Sequence, residues 1–381
     1  MDPKQVKPAS AAAQALGWVD EKTGAISPPL HTATTYLRDA DNQYRSGRVY
    51  ARADNPAFDQ AEALLAHLEL GAQAALFSSG MAAATAVFQS LAPGDHVIAS
   101  RVMYWSLRNW LNGFATQWGL KVELVDTSDL TALSRALQPG KTKVVWIETP
   151  ANPTWVITDI AASAELAHKA GARLVVDSTT ASPVLTQPIT LGADLVMHAA
   201  TKYLNGHSDV LAGALVTAAD DEFWQRVKKI RAQLGGVPGS FEAWLLLRGM
   251  RTLFVRVPAA CRGAEKIAAH FSAHARIEAV LYPGLPGAAG HATAARQMKG
   301  GFGGMLSLRI KGGEAAAIAT AARVQLWKRA TSLGGIESLV EHRSSVEGAG
   351  SPAPVDMLRL SVGLEDAGDL IADLEQALPK A

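Results

Sequence analysis

The chain has 381 residues, 48% of them hydrophobic and 19% charged, with a formal net charge of +1. That balance excludes a disordered or coiled chain, and the scattered basic residues announce neither a nucleic-acid nor a membrane-surface partner. One cysteine, Cys261, excludes a disulfide-held fold, and no apolar run has signal or membrane-spanning length, so a soluble cytoplasmic protein of two domains is expected.

Residues 1–56 are rich in turn formers, as in "GAISPPLHTATTY" and "ADNPAF", and read as an arm draped over a neighbouring subunit. At Asp59 the pattern changes to "DQAEALLAHLEL", apolar at helical spacing. Alternation follows. "AQAALFSSG" reads as a strand with a small-residue turn and "MAAATAVFQSL" as a helix. "DHVIAS", "KVELVD", "KVVWIETP" and "ARLVVDST" read as strands separated by the helices "YWSLRNWLNGFATQWG", "LTALSRAL" and "IAASAELAHKAG". "ADLVMHAA" and "AGALVT" add two more strands.

Such alternation predicts an α/β fold over 57–240, a parallel sheet with helices on both faces and a site beyond the strands' carboxyl ends. "LGGVPGS" interrupts it, and "FEAWLLLRGMRTLFVRV" begins a region, 241–381, whose strands "GGMLSLRI" and "MLRLSVGL" flank the helix "AAAIATAARV". That region reads as a smaller α+β domain.

Three strand ends carry chemistry. "SSGM", Ser78 to Met81, has the small-residue turn into a helix that suits an anion, although many ordinary strand–helix turns look the same. Asp177 closes a buried strand, where a carboxylate needs a metal, an arginine or a protonated ligand nitrogen, or else serves as a helix cap. Metal is disfavoured, because no His/Asp/Glu cluster at ligand spacing accompanies it; His198 and His207 are nine residues apart. Lys202, in "MHAATKYLNGHSD", follows small residues in an apolar setting, which lowers a lysine's pKa and makes it a nucleophile for an aldehyde. Together the three features point to pyridoxal phosphate. "GGFGG" opens a strand rather than a helix and is not read as a phosphate loop, and no Gly-x-Gly-x-x-Gly opens a helix as a dinucleotide site requires.

The stretch "VDSTTASP…ITLGADLVMHAATKYLNGHSDVLAG" resembles the Cys/Met-metabolism family of pyridoxal-phosphate enzymes. "YARADNP", "SSGMAA", "APGDHVI", "ETPANPT", "YPGLP", "GGMLS", "SLGGIESLVEH" and "LRLSVGLEDAGDLI" fall in the family's order, over nearly the whole chain. The resemblance implies an aminotransferase-like (fold type I) architecture, with 57–240 as the cofactor domain. It makes Lys202 the cofactor lysine and proton shuttle, and Asp177 the partner of the pyridine nitrogen. Ser79, Gly80, Met81 and Thr201 would hold the phosphate, and Thr179 and Asn152 would lie near the ring. Tyr104 would stack on the ring and assist proton transfer. Arg359 would grip the substrate carboxylate, with Ser332 beside it. Tyr50 and Arg52 match a pair that reaches a neighbouring subunit's site, which implies a homotetramer built from dimers with shared sites.

Five residues depart from the family pattern. Trp105 and Ser106 follow Tyr104 where small residues are usual, Ala199 replaces a serine before Ala-Thr-Lys, and Thr331 stands where enzymes handling cystathionine often carry glutamate. Arg343 replaces the proline after "EH", and reads as a solvated loop residue or as a contact for an anionic substituent. The resemblance implies elimination or replacement at the γ-carbon of an S- or O-substituted homoserine-type amino acid. β-Elimination, an O-acyl-homoserine sulfhydrylase and a non-catalytic cofactor-binding relative are the alternatives.

Overall fold

The computed structural model describes residues 5–348 and 350–379. A seven-stranded sheet comprises β1 (Gln73–Phe77), β2 (His96–Ser100), β3 (Lys121–Val125), β4 (Thr142–Glu148), β5 (Arg173–Asp177), β6 (Leu195–His198) and β7 (Gly213–Thr217). Its order is β1-β7-β6-β5-β4-β2-β3. The near-continuous apolar runs of β2, β4, β5 and β6 fit strands buried on both faces. Along β5 the side chains divide between two cores, Val175 into one and Leu174 and Val176 into the other, so helices cover both sides.

The expected alternation and parallel direction hold for β2 to β6, but β7 runs antiparallel to both β6 and β1. Residues 199–212 join β6 to β7 through turns without a helix. A parallel return ordinarily needs a crossover helix, so this helix-free loop leads into a reversed strand. Lys202 sits on that loop.

Helix starts are written in the caps. Asn55 accepts a bond from the Ala57 amide (2.9 Å) ahead of Pro56, so the first long helix is Pro56–Glu69 and begins before the apolar spacing at Asp59. Asp159 and Asp221 cap Ile160–Lys169 and Glu222–Leu234 in the same way. The second of these is a helix with no counterpart in the reading above. The arm also carries one, Pro8–Ala13, whose Ala11 and Ala12 are buried. The stretch after Tyr104 is helical in two registers, an α-helix at Trp105–Trp110 and a wider π-turn at Leu111–Ala115.

A second sheet is built from β8 (Ile277–Leu281), β9 (Met305–Ile310), β10 (Lys328–Arg329), β11 (Leu339–His342) and β12 (Met357–Ser361), in the order β10-β11-β12-β9-β8. Two helices, Ser240–Met250 and Leu253–Phe271, lead to it. The first half of the longer one packs with Leu64 and Val216 of the large sheet's core, while Ala264, Ile267 and Phe271 pack with β9 and β12.

These two helices also hold the Lys202 loop. The buried Arg256 guanidinium donates to the carbonyls of Tyr203 (2.8 Å), Leu204 (3.3 Å) and Gly249 (2.8 Å). A Cβ on Gly249 would lie 2.3 Å from the Asn205 carbonyl oxygen. Alanine is favoured over glycine within a helix by about 1 kcal/mol, yet here a backbone atom blocks it and overpacking decides the sign. Gly249→Ala is expected to destabilise the protein by about 1–3 kcal/mol, read as a lower urea midpoint at unchanged slope. Gly113→Ala, with open space around its Cβ, should be neutral or stabilising. A neutral Gly249→Ala would show that the loop is not held by this contact.

Candidate active site

The carboxyl ends of β4, β5 and β6 meet β12, the segment before β11 and Arg343 just after it in one cavity. Ser79, Gly80, Met81, Tyr104, Asn152, Asp177, Thr179, Thr201, Lys202, Ser332 and Arg359 all line it. Trp105 adjoins Tyr104 in the chain without lining it. Tyr50 and Arg52 lie elsewhere, on the protomer's surface. Arg52 donates to the Ala232 carbonyl (2.9 Å), and its guanidinium sits over the Tyr50 ring at 5.8 Å.

Lys202 Nζ donates to Ser332 Oγ at 2.7 Å. Burial pushes its pKa down to about 8, with the Arg359 charge acting in the same direction and Glu341 opposing. Ser332 has φ +93°, a left-handed conformation costly for serine. The turn aims both of its polar groups into the site: the hydroxyl accepts from Lys202, and the carbonyl accepts from Arg359 Nη2 at 2.7 Å. Arg359, on β12, also donates to Glu341 Oε2 (2.6 Å) and Asn152 Oδ1 (3.2 Å). Full burial lowers its pKa to about 10.

On the other side, Asp177 accepts from the Thr179 amide (3.0 Å) and hydroxyl (2.5 Å), and the same hydroxyl takes the Ala199 amide (2.8 Å). Burial raises the Asp177 pKa against those bonds. Directly across the β4–β5 ladder stands Glu148, a residue that the sequence reading passed over. It ends "KVVWIE" as Asp177 ends "ARLVVD", so the same strand-end signal marks it. Its two oxygens accept the amides of Tyr104 (2.6 Å) and Asn152 (2.8 Å), fixing two cavity residues at once. Burial, and then the neighbouring Asp177, push its pKa well up. Among the described residues neither Asp177 nor Glu148 has a salt-bridge partner.

At the anion end, Ser79 caps the helix Gly80–Gln89 by accepting the Ala82 amide (3.0 Å). A Cβ on Gly80 would come within 2.9 Å of Ala199 Cβ, so the turn and the Lys202 loop are in direct contact. The Thr201 hydroxyl exchanges bonds with the Ala212 carbonyl (3.1 Å) and amide (2.9 Å), tying the two ends of its loop.

One expectation needs correction. Arg343 is neither a solvated loop residue nor free to meet an anion. It is 4% exposed, lines the cavity, and donates to Glu341 and Glu347. Two carboxylates five residues or fewer away draw it inward. His198 bonds Glu69 (2.6 Å) and His207 bonds the Asn205 carbonyl (2.8 Å). No group of three or more metal-ligating side chains occurs among the described residues.

These residues fit a planar cationic ring with an anionic tail and an aldehyde. A buried carboxylate without an ionic partner awaits a cation, a helix N-terminus suits a phosphate, and a lysine with a lowered pKa suits an aldehyde. The sequence profile of the Cys/Met metabolism PLP-dependent enzymes matches residues 10–379. Cystathionine gamma-synthase of Mycobacterium bovis is 43% identical over 377 residues, covering 97% of this chain and 96% of its own. Cystathionine gamma-lyase of Dictyostelium discoideum is 40% identical over 369 residues, 95% of each chain. A solved cystathionine gamma synthase from Xanthomonas oryzae pv. oryzae, in complex with aminoacrylate and cysteine, has a TM-score of 0.93 at 38% identity, covering 98% of this chain and 97% of that one. The match runs through β12 and through the Lys202 loop alike, and the chain belongs to the Cys/Met metabolism family of enzymes that depend on pyridoxal 5'-phosphate.

Proposed function

We propose that the protein carries out elimination or replacement at the γ-carbon of an S- or O-substituted homoserine-type amino acid. The observation that carries this reading is the double use of Ser332, whose hydroxyl meets Lys202 and whose carbonyl meets Arg359. An α-amino acid whose carboxylate engages Arg359 brings its α-carbon beside Lys202 Nζ, where orientation alone lowers the barrier.

Pyridoxal phosphate, when bound, supplies an electron sink for carbanion character at the substrate's α-carbon. Asp177 is the residue to pair its ring nitrogen, with Thr179 and Asn152 beside the ring and Tyr104 on its face. Ser79, Gly80, Met81 and Thr201 are the residues to hold the phosphate, and Lys202 is the one to hold the aldehyde. Lys202, once the substrate's amino group has displaced it from the aldehyde, would take the proton from Cα and, after handing that proton on, one from Cβ for γ-chemistry. It then returns a proton to the product, with the Tyr104 hydroxyl assisting.

Arg359 binds the carboxylate through charge-assisted bonds. Thr331, in the cavity wall, offers a hydroxyl and no carboxylate, which favours a γ-substituent without a distal ammonium. Relatives named for γ-chemistry, at 43% and 40% identity, support γ over β. The Coxiella burnetii relative named cystathionine beta-lyase is 37% identical over 368 residues.

The arm reads as an element of a homotetramer built from dimers. Ile26 and Leu37 are 72% and 92% exposed, and Tyr50 is half exposed beside Arg52. We place Tyr50 and Arg52 at a neighbouring copy's phosphate. The buried lone thiol of Cys261 suits a reducing cytoplasm, and no helix among the described residues is long and apolar enough to cross a membrane.

Three outcomes are expected. Incubation with methionine, cystathionine, cysteine and an O-acyl homoserine should yield 2-oxobutyrate, or cystathionine when cysteine and the ester are combined; pyruvate as the sole oxo acid would reassign the reaction to the β-carbon. Arg359→Ala should weaken binding of α-amino acids by about 2–5 kcal/mol, seen as a raised KM, and an unchanged KM would place the carboxylate elsewhere. Sedimentation should show a tetramer, and Tyr50→Phe with Arg52→Ala should loosen cofactor binding; a fully active monomer contradicts the shared site.

A further inference from the structure

Arg343 is a charged cavity residue that the proposed reaction leaves without a task. It opens the short helix Arg343–Glu347 directly after β11. Its Nη1 donates to Glu341 Oε2 (2.9 Å), and its Nη2 and Nε donate to Glu347 Oε1 (2.8 and 3.3 Å). The same oxygen of Glu341 accepts from Arg359 Nη2 (2.6 Å). Four charges of alternating sign therefore form one ladder, Arg359–Glu341–Arg343–Glu347, and all four are buried. Its far end is fixed as well: Glu347 Oε2 accepts from Ser351 Oγ (2.8 Å), and the Gly350 carbonyl accepts from Arg108 (3.2 Å), one turn beyond Tyr104.

We propose that Arg343 is a positioning residue: by sharing Glu341 it sets the orientation and the free binding capacity of Arg359, and it sets the charge felt by Lys202. The proposal rests on the reading of Arg359 as the carboxylate-binding group. Arg343 does not serve as an anion receptor itself, because three of its donors already meet carboxylates.

The physical logic is competition for one oxygen. Without Arg343, Glu341 is a buried carboxylate with Arg359 as its one side-chain partner among the described residues. It then holds that guanidinium more tightly and repels an incoming carboxylate. With Arg343 present, the Glu341 charge is divided, and the Arg343 charge is in turn balanced by Glu347. Arg359 is left aimed yet able to accept a second anion.

Lys202 reads the same ladder. Its amine feels Arg359 and Arg343 as charges that disfavour its protonated form and Glu341 as one that favours it. Ser332 meets it directly, while Asp177, Glu148 and Tyr104 face the same cavity. Glu347 reaches Lys202 only through the Arg343 charge that it balances, so removing Arg343 and neutralising Glu347 should act on Lys202 with opposite sign. A brace that only held the fold together would give no such opposition.

The test compares Arg343→Met and Glu347→Gln with the parent protein. In the holoenzyme, Arg343→Met should raise KM for the α-amino acid substrate about tenfold or more with kcat within about threefold, the pattern of lost uniform binding. Glu347→Gln should not raise KM. In the full chain freed of cofactor, acetic anhydride labelling of Lys202 across pH, read by peptide mass spectrometry, gives the midpoint of the amine. That midpoint should move up by about half a unit to one unit in Arg343→Met and down in Glu347→Gln. Should Arg343→Met fail to fold, Glu347→Gln carries the test by its downward shift, and Arg343→Lys is the control that keeps the charge and therefore most of the midpoint. An unmoved midpoint in Arg343→Met or Glu347→Gln, or shifts of the same sign in those two variants, overturns the ladder. The midpoints do not involve substrate, so failure of the carboxylate reading shows separately, as an unchanged KM in Arg359→Ala.

Discussion

A half-buried lysine and a buried arginine meet at one serine, and most of the architecture around the cavity follows from keeping them there. Lys202 and Arg359 repel each other and both lose hydration, so neither position is stable without partners. Ser332 supplies one to each, in a left-handed turn that serine adopts at a cost. The turn is held by Gly334, whose amide donates to Ser361 Oγ at 2.8 Å on the strand that carries Arg359. The large sheet delivers the lysine and the second sheet delivers the arginine, so the site exists only where the two sheets adjoin.

The opposite wall carries the complementary problem. Asp177 and Glu148 end adjacent strands with buried carboxylates, and the ladder register brings them side by side. Backbone amides and Thr179 satisfy their oxygens without neutralising their charge. With two adjacent carboxyl groups at one wall and the lysine and arginine at the other, the cavity is polarised along the direction in which a zwitterionic amino acid and a cationic ring would need to be stabilised. Preorganised charge of this kind costs stability in the empty protein and is recovered on binding.

Much of this was legible from residue order. A charged side chain closing an apolar run is costly, so Asp177 and Lys202 stand out without any structure, and the family resemblance adds Arg359, Ser332 and the arm. Glu148 carries the same signal at the head of "ETPANPT", a stretch that the resemblance marks for Asn152 and not for this carboxylate. The direction of β7 is set by a connection that happens to contain no helix, which apolar spacing does not report. Arg343 lies in "HRSSVEG", a locally polar stretch that reads as exposed. Its burial comes from Glu341 and Glu347 on either side of it and from Arg359, sixteen positions on, none of which local pattern weighs together. Tyr50 and Arg52 lie outside the protomer's own cavity.

The central claim is geometric: Arg359 and Lys202 hold the two ends of one α-amino acid around Ser332. A crystal structure of the loaded protein with norleucine, which has no leaving group at Cβ or Cγ, tests it most directly. The account predicts the carboxylate on Arg359 with the α-carbon about 3–3.5 Å from Lys202 Nζ. A carboxylate bound away from Arg359, or an α-carbon out of reach of Lys202, would contradict it.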